Sequence, residues 1–239
     1  GVNGAAKGHS WQANMRRDSN SQFGDSNTWL IGYGYAINDA WRVNASYGTS
    51  FVAPSFNQLY YPGFGNTALS PEKGKNLDLG VSYSANGQSV KLVRFDNKIQ
   101  GFITNSTQAA NIPRARIDGW TLGYDGQFGA FKLHANVDAL NPRNELNGKQ
   151  LARRAKTQIS LGADYAMGAW LLGGNVLSVG KRYDDAKNTV ALDSYTTIDL
   201  FANYAVNKDV SVQMKINNLA NKAYETSYGF NQAGRTAYV

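Results

Sequence analysis

The sequence contains no cysteine among its 239 residues, which excludes a disulfide framework and any metal site built from thiolates. It also contains no run of about 18 consecutive apolar residues, which excludes a transmembrane helix. The first residues, GVNGAAKGHSW, lack the apolar segment of a signal peptide. If the protein is exported, its signal peptide was therefore removed or lies outside this chain.

Catalytic motifs are absent as well. The chain lacks Gly-x-Ser-x-Gly, a Walker phosphate-binding loop and His-Glu-x-x-His. His9 and His134 are far apart in the sequence, and His134 is predicted to face a polar interior. Asp184 and Asp185 could contact a cation, but a calcium site needs six or more oxygen ligands. We therefore predict no enzyme activity, no catalytic residue and no metal site.

What the chain does contain is a repeated alternation of apolar and polar residues. Trp41, Val43 and Tyr47 fall on one side of an extended chain, and Arg42 and Asn44 fall on the other. A period of two is the period of a β-strand. An arginine in this position costs roughly 2–4 kcal/mol if it faces lipid at mid-membrane, but little if it faces a wet interior. The pattern recurs in about twelve segments of about ten residues, as membrane-spanning strands do.

The connections between these segments alternate between short and long. Asn86-Gly87 and Met167-Gly168 mark tight turns, whereas residues 49–76, 96–110 and 181–194 are predicted to be long loops. Tryptophan or tyrosine flanks most strands, and the mean hydropathy of −0.43 is low, as expected when lipid-facing and interior residues alternate. Together these features predict an all-β fold, an antiparallel transmembrane β-barrel of about twelve meander strands.

A soluble antiparallel β protein is the alternative fold, in which the Trp, Tyr and Leu face would pack on a second sheet. The unequal loops and the aromatic strand ends have no structural purpose in such a sandwich. The formal net charge of +7 could also indicate nucleic-acid binding, but the basic residues form no basic helix or stripe. We expect no nucleic-acid partner, and we expect positive charge at the outer rim to face lipid phosphates.

Three ordered motifs resemble a known family. They are SFVAPSFNQLY at residues 50–60, GNTALSPEKGKNLDL at residues 65–79, and the closing stretch VSVQMKINNLANKAYETSYGFNQAGRTAYV at residues 210–239. Together they resemble TonB-dependent outer-membrane transporters. The second motif departs from the family pattern, because Thr67 and Ala68 replace a usual Pro-Asn and Gly74 stands at a usual serine.

A narrower resemblance is to the cobalamin receptors of that family. It rests on Arg16-Arg17-Asp18 with SQFGDSNTW (residues 21–29), LARRAK (151–156), GKRYD (180–184) and YETSYGFNQAGR (224–235). Siderophore receptors share the general motifs but less of this set.

The resemblance implies a 22-stranded barrel plugged by an N-terminal domain that binds TonB. This chain shows only about half of those strands and no plug-like region, and it ends at Tyr238-Val239 without the expected aromatic C-terminal residue. We therefore expect residues 1–239 to be the C-terminal part of the barrel, with the plug and the early strands absent from this chain. A closed, narrower barrel of about twelve strands is the alternative, since lipid does not tolerate the unpaired edges of an open half.

The function that the resemblance implies is active import of cobalamin across the bacterial outer membrane, energised by TonB through the missing plug. Cobalamin would be a transported substrate, and no cofactor is expected. The expected partners are the TonB complex, a corrinoid ligand, the missing barrel half, outer-membrane lipid and lipopolysaccharide. A siderophore or haem receptor of the same family is the first alternative, and a passive diffusion porin is the second.

Candidate ligand-binding residues lie in the predicted outward loops. Aromatic side chains can make flat contacts with a corrin ring, and the arginine could donate to amide or phosphate oxygens of the ligand. The candidates are Arg182, Tyr183, Tyr60, Tyr61, Phe64, Tyr228 and Phe230. The alternative for the aromatic residues is loop packing or a place in the girdle. The alternative for Arg182 is a salt bridge with Asp184 or Asp185.

Overall fold

A computed structural model of the chain describes residues 1–105 and 108–239. In chain order its elements are β1 (Val2–Ala6), β2 (His9–Asn20), β3 (Gly24–Ala36), β4 (Trp41–Val52), α1 (Phe56–Tyr60), β5 (Glu72–Ala85), β6 (Gln88–Asn105), β7 (Ala109–Phe128), β8 (Phe131–Asn144), β9 (Thr157–Met167), β10 (Trp170–Val179), β11 (Arg182–Tyr183), β12 (Ala191–Leu192), β13 (Tyr195–Ala205), β14 (Ser211–Asn217), β15 (Glu225–Ser227), β16 (Phe230–Asn231) and β17 (Thr236–Tyr238).

Thirteen of these strands form one antiparallel sheet in the order β1 to β10, β13, β14, β17. Each of the thirteen strands pairs with those that precede and follow it within this sheet, so the predicted antiparallel meander is confirmed, with thirteen strands where about twelve were expected. The four short strands form two separate hairpins, β11 with β12 and β15 with β16.

One face of the sheet is apolar and open to the surroundings, as the alternation predicts. Ile31, Tyr33, Leu79 and Leu161 are between 46% and 57% exposed although they lie in the middle of strands. Aromatic pairs form directly across neighbouring strands at the short-turn end of this face, with ring centroids 5.1 Å apart for Trp41–Tyr83, 4.3 Å for Phe131–Tyr165 and 4.6 Å for Trp170–Tyr204. Aromatic belts of this kind mark the interface between lipid and water.

The phase of β6 could not be assigned from the sequence, because Val90 and Leu92 compete with Val93 and Phe95 for the apolar face. Leu92 is the cross-strand partner of both Val81 and Leu122, so Val90 and Leu92 take the apolar face. The same phase puts Arg94 on the apolar face beside Trp120, with the guanidinium carbon 5.7 Å from the ring centroid.

Protein acceptors surround the guanidinium of Arg94. Nη1 donates to the carbonyl oxygens of Phe95 and Gly119 at 2.7 and 2.8 Å, and Nη2 donates to Asp118 at 2.7 Å. The charge of Arg94 is therefore neutralised within the protein, which lowers the cost of placing it beside lipid.

Several strands are longer than predicted at the long-loop end. Residues 96–110 were predicted to be a polar loop, but β6 continues to Asn105 and β7 begins at Ala109. The long connection predicted at residues 49–76 shrinks to residues 53–71, since β4 runs to Val52 and β5 begins at Glu72. Beyond the aromatic belt both faces of a strand meet water, so the ladder continues without the apolar alternation that reveals it in the sequence.

The short turns agree with their sequences. Asn86 and Gly87 join β5 to β6 with φ values of 52° and 74°, the positive angles that a tight two-residue hairpin requires. Among residues 1–105 and 108–239, no helix is long and apolar enough to cross a membrane.

The sheet does not close on itself. Within the part of the chain that the structure describes, β1 pairs only with β2 and β17 pairs only with β14. The alternative of a closed, narrower barrel is therefore wrong for this structure, and both outer strands present unpaired backbone groups.

The two faces predict opposite responses to charge. Leu161 lies on the apolar face between Ala135 and Val176, and its neighbour Ser160 points to the opposite face at the same depth. Leu161→Arg should lower the free energy of unfolding in lipid vesicles by about 2–4 kcal/mol. The matched control Ser160→Arg should lower it much less, and equal losses for the two variants would contradict the assignment of the faces.

Candidate ligand-binding site

The first loop cluster lies at the long-loop end and consists of residues 21–23, residues 53–71 and the facing ends of β6 and β7. Its core is formed by buried Leu59, Leu69, Ile103 and Ala109, against which Phe23 and Phe64 pack. Helix α1 begins with a capping box, in which the Ser55 hydroxyl accepts from the Gln58 amide and the Gln58 side chain accepts from the Ser55 amide. This cap fixes the short helix so that Leu59 turns inward.

Two of the predicted aromatic residues of this cluster are open to solvent. Tyr60 and Tyr61 are 49% and 60% exposed, and the Gln22 side chain donates to the Tyr60 hydroxyl at 3.1 Å. Phe64 instead packs on the buried core, and its carbonyl oxygen accepts from the Ala109 amide at 3.1 Å. The ligand-binding role of all three stays a prediction, but the geometry of Phe64 is that of a loop-packing residue.

The second loop cluster consists of residues 145–156, 180–194 and 218–235. Asp184 lies at its centre, where it accepts hydrogen bonds from Arg153 Nε at 2.6 Å, the Ser227 hydroxyl at 3.3 Å and the Tyr228 amide at 3.1 Å. The hydrogen bond from Arg153 holds the pKa of Asp184 below its ordinary value of 3.8, although burial opposes this. One carboxylate thus joins three segments that are distant in the sequence.

Arg182 is a structural arginine in this arrangement. It is 4% exposed, its Nη2 donates to the Glu225 carbonyl oxygen at 2.7 Å, and its guanidinium carbon lies 5.3 Å from the Tyr195 ring centroid. The Tyr195 ring stacks in turn on Tyr224 at 4.2 Å. Among the described residues, Nη1 of Arg182 has no hydrogen-bond partner.

The salt bridge considered for Arg182 does not form within the described residues. Asp184 pairs with Arg153, and Asp185 accepts the amides of its own loop, at Thr189 and Val190. The ligand-binding role of Arg182 and Tyr183 stays a prediction. The contact that the structure shows for Arg182 is with the β15–β16 hairpin.

The β15–β16 hairpin presents the last two candidates. Tyr228 and Phe230 are 63% and 69% exposed, and Gly229 between them has a φ of 77°, which only glycine adopts without strain. Tyr183 is half-buried, it pairs with Ala191, and its carbonyl oxygen accepts from the Arg153 amide at 2.6 Å. The structure thus brings Arg182, Tyr183, Tyr228 and Phe230 into one cluster.

The hairpin of β6 and β7 connects the two loop clusters. Its Ile103 and Ala109 belong to the core of the first cluster. Its Phe102 and Ile112 pack with fully buried Leu151 in a second core. Both loop clusters are therefore anchored on one pair of strands.

Arg153 belongs to the second loop cluster but is missing from the predicted candidates. It lies in LARRAK, and its partner Asp184 lies in GKRYD, so two of the motifs that resemble cobalamin receptors meet in space. The motifs contained this signal, but the two residues are 31 positions apart in the sequence, and their contact could not be derived from spacing.

An open antiparallel meander with one apolar face, aromatic belts and short turns at one end defines the wall of a transmembrane β-barrel. The chain matches the family described as TonB dependent receptor-like, beta-barrel, over residues 6–219, and it belongs to that family.

Two similar proteins are transporters of vitamin B12. The chain is 32% identical to the vitamin B12 transporter BtuB of Photobacterium profundum over 96% of this chain and 40% of that protein. It is 30% identical to the vitamin B12 transporter BtuB of Vibrio vulnificus over 64% of this chain and 26% of that protein. The chain thus spans well under half the length of these relatives.

Solved structures share the fold. The copper transporter OprC superposes with a TM-score of 0.79 at 21% identity, over 98% of this chain and 44% of OprC. The siderophore receptor PiuA of Acinetobacter baumannii superposes with a TM-score of 0.78 at 22% identity, over 96% of this chain and 40% of PiuA. At this identity the likeness concerns architecture alone.

Removing the Arg182 side chain should release the β15–β16 hairpin and leave the sheet intact. The variant Arg182→Ala should make residues 225–231 more sensitive to limited proteolysis, because Glu225 loses its donor. The exposed neighbour provides the control, and Lys181→Ala should leave the cleavage rate unchanged. Equal cleavage of the two variants would show that Arg182 does not hold the hairpin.

Acid should weaken the same hairpin within a defined pH range. Because the folded-state pKa of Asp184 is lowered from 3.8, its contribution to stability is present above that value and is lost as the pH falls through the lowered pKa. Hydrogen exchange of residues 225–231, corrected for the intrinsic pH dependence, should show constant protection down to about pH 4 and a loss below it. Asp184→Asn should lack this transition, and a transition of wild-type size in that variant would assign it to another group.

Proposed function

We propose that this chain is the C-terminal barrel wall of an outer-membrane transporter that imports cobalamin, energised by TonB through a plug domain outside the chain. The main support for this proposal is the salt bridge between Arg153 of LARRAK and Asp184 of GKRYD. Asp184 also accepts from the Tyr228 amide, so the salt bridge lies directly beneath the exposed tip that carries Tyr228 and Phe230. The identity of about 30% to vitamin B12 transporters supports the same substrate class.

The open sheet edges support the missing barrel half as a partner. Every backbone amide and carbonyl within lipid needs a hydrogen-bond partner, and β1 and β17 each lack a neighbour on one side within the described residues. We propose that the remaining strands of a 22-stranded barrel pair with both edges. The proposed location is the bacterial outer membrane, with the long loops facing outward.

The proposed ligand surface consists of exposed aromatic side chains on two anchored loop clusters. Tyr60, Tyr61, Tyr228 and Phe230 offer flat apolar contacts to the corrin ring. Arg182 sets the position of the β15–β16 hairpin, Phe64 sets the position of residues 53–71, and Tyr183 stays a proposed ligand contact. The substrate is carried unchanged, so the proposal requires neither a catalytic group nor a cofactor.

A siderophore or another metal complex is the second candidate substrate class. It is favoured by the fold shared with a copper transporter and a siderophore receptor. The motif set at Arg153 and Asp184 and the relatives at higher identity favour cobalamin over this alternative.

Calorimetry on the complete gene product that carries this sequence, purified in detergent, tests the substrate class. Cyanocobalamin should bind selectively when a ferric siderophore is the comparator. Binding of the siderophore alone would replace cobalamin with the second candidate. Uptake into cells with and without TonB separates an active importer from a passive pore, since a pore would transport equally in both.

The exposed tip of the β15–β16 hairpin should contribute directly to affinity. The double variant Tyr228→Ala/Phe230→Ala should weaken cyanocobalamin binding about tenfold or more, because two rings lose apolar contact with the ligand. Phe128→Ala is the matched control, since Phe128 is 53% exposed at the short-turn end of β7. An unchanged affinity in the double variant would remove this hairpin from the ligand surface.

A further inference from the structure

A row of basic side chains crosses the apolar face just beyond the aromatic belt. On β5, Leu79 and Leu77 lie on the apolar face. Lys75 and Lys73 continue the same face toward the long-loop end. On β6, Lys98 is the direct cross-strand partner of Lys75 and shares its face. Four cations, namely Lys73, Lys75, Lys98 and Arg114, line one concave surface with a volume of about 620 Å³. We call this surface the basic groove.

The neighbouring charges on the same face are already paired. Asp25 accepts from Arg17, Asp96 accepts from Arg116, and Asp118 accepts from Arg94 and Arg143. Asp25 and Glu145 also line the groove, and Glu145 lies 4.0 Å from Arg116. Among the described residues, none of the four groove cations lies within 4.0 Å of a carboxylate.

The groove is therefore unfavourable as it stands. Like charges directly opposite each other on neighbouring strands destabilise a sheet, and Lys75 and Lys98 are such a pair. An anion between their ammonium groups would attract both of them and replace this repulsion with attraction. Thr49, the cross-strand partner of Lys75, lines the same groove, and its hydroxyl could donate a further hydrogen bond to an oxygen of the anion.

We propose that the basic groove binds the phosphate-bearing headgroup of an outer-leaflet lipid, as lipid A of lipopolysaccharide carries. The position of the groove favours a lipid headgroup over free phosphate as the anion. Leu77, Leu79 and Trp29 bring the apolar, lipid-facing surface up to the edge of the groove, so a headgroup whose acyl chains cover them reaches the four cations. This site depends on the barrel standing in a membrane and is independent of which substrate the receptor imports.

Native mass spectrometry of the complete gene product with bisphosphorylated lipid A tests this site. The double variant Lys75→Gln/Lys98→Gln should bind roughly 30-fold more weakly than the wild type, since two lysines near an anionic headgroup are lost. A control with the same loss of charge is Lys181→Gln/Lys208→Gln, whose exposed lysines lie in a loop and a turn away from the groove. This control should bind as the wild type does.

Three further measurements test whether the bound phosphate belongs to a lipid and whether Lys75 and Lys98 repel each other without it. Lipid A without phosphates should bind like the double variant, and millimolar inorganic phosphate should not compete. Without lipid, the double variant should be at least as resistant to unfolding as the wild type, because a repulsive pair is gone. Equal lipid A binding by wild type and double variant, or full displacement by inorganic phosphate, would overturn the proposal.

Discussion

The structure depends on the need to pair every backbone amide and carbonyl where no water is available. A meander satisfies this need locally, because each strand finds its partners in the segments that precede and follow it. Thirteen strands joined in this way leave side chains free to differ on the two faces. The apolar face can then meet lipid while the opposite face stays polar, and the charge of Arg94 on the apolar face is surrounded by protein acceptors.

The fold was predictable from the sequence wherever one face of a strand must be apolar and the other polar. Alternation around Trp41 and Leu161 marks strands because one side must be apolar, and Asn86-Gly87 marks a turn because its positive φ angles are residue-specific. Beyond the aromatic belt the requirement ends. The outer part of β6, from Asp96 to Asn105, is a strand held by its hydrogen bonds to β7. Its polar composition led to the prediction of a loop.

The candidate site was less predictable for a different reason. Exposed aromatic residues such as Tyr228 can be found by their place in a loop, and their exposure agrees with that expectation. The partner of Arg182 is a backbone carbonyl at Glu225, which carries no residue-specific signal in the sequence. The Arg153–Asp184 contact joins two motifs that were each visible, but their meeting is a property of how the outward loops fold together.

The register of the sheet also fixes how the strands lean. Trp120 on β7 lies directly across the ladder from Tyr33 on β3, whereas Trp29, the belt residue of β3, lies four residues further along. Four strands at about 4.8 Å span roughly 19 Å, and four residues at about 3.4 Å span roughly 14 Å. If both tryptophans sit at one membrane level, the strands incline by about 35° to the membrane normal. The opposite belt gives the same offset, since Trp41 is level along the ladder with Ala135, four residues from Phe131.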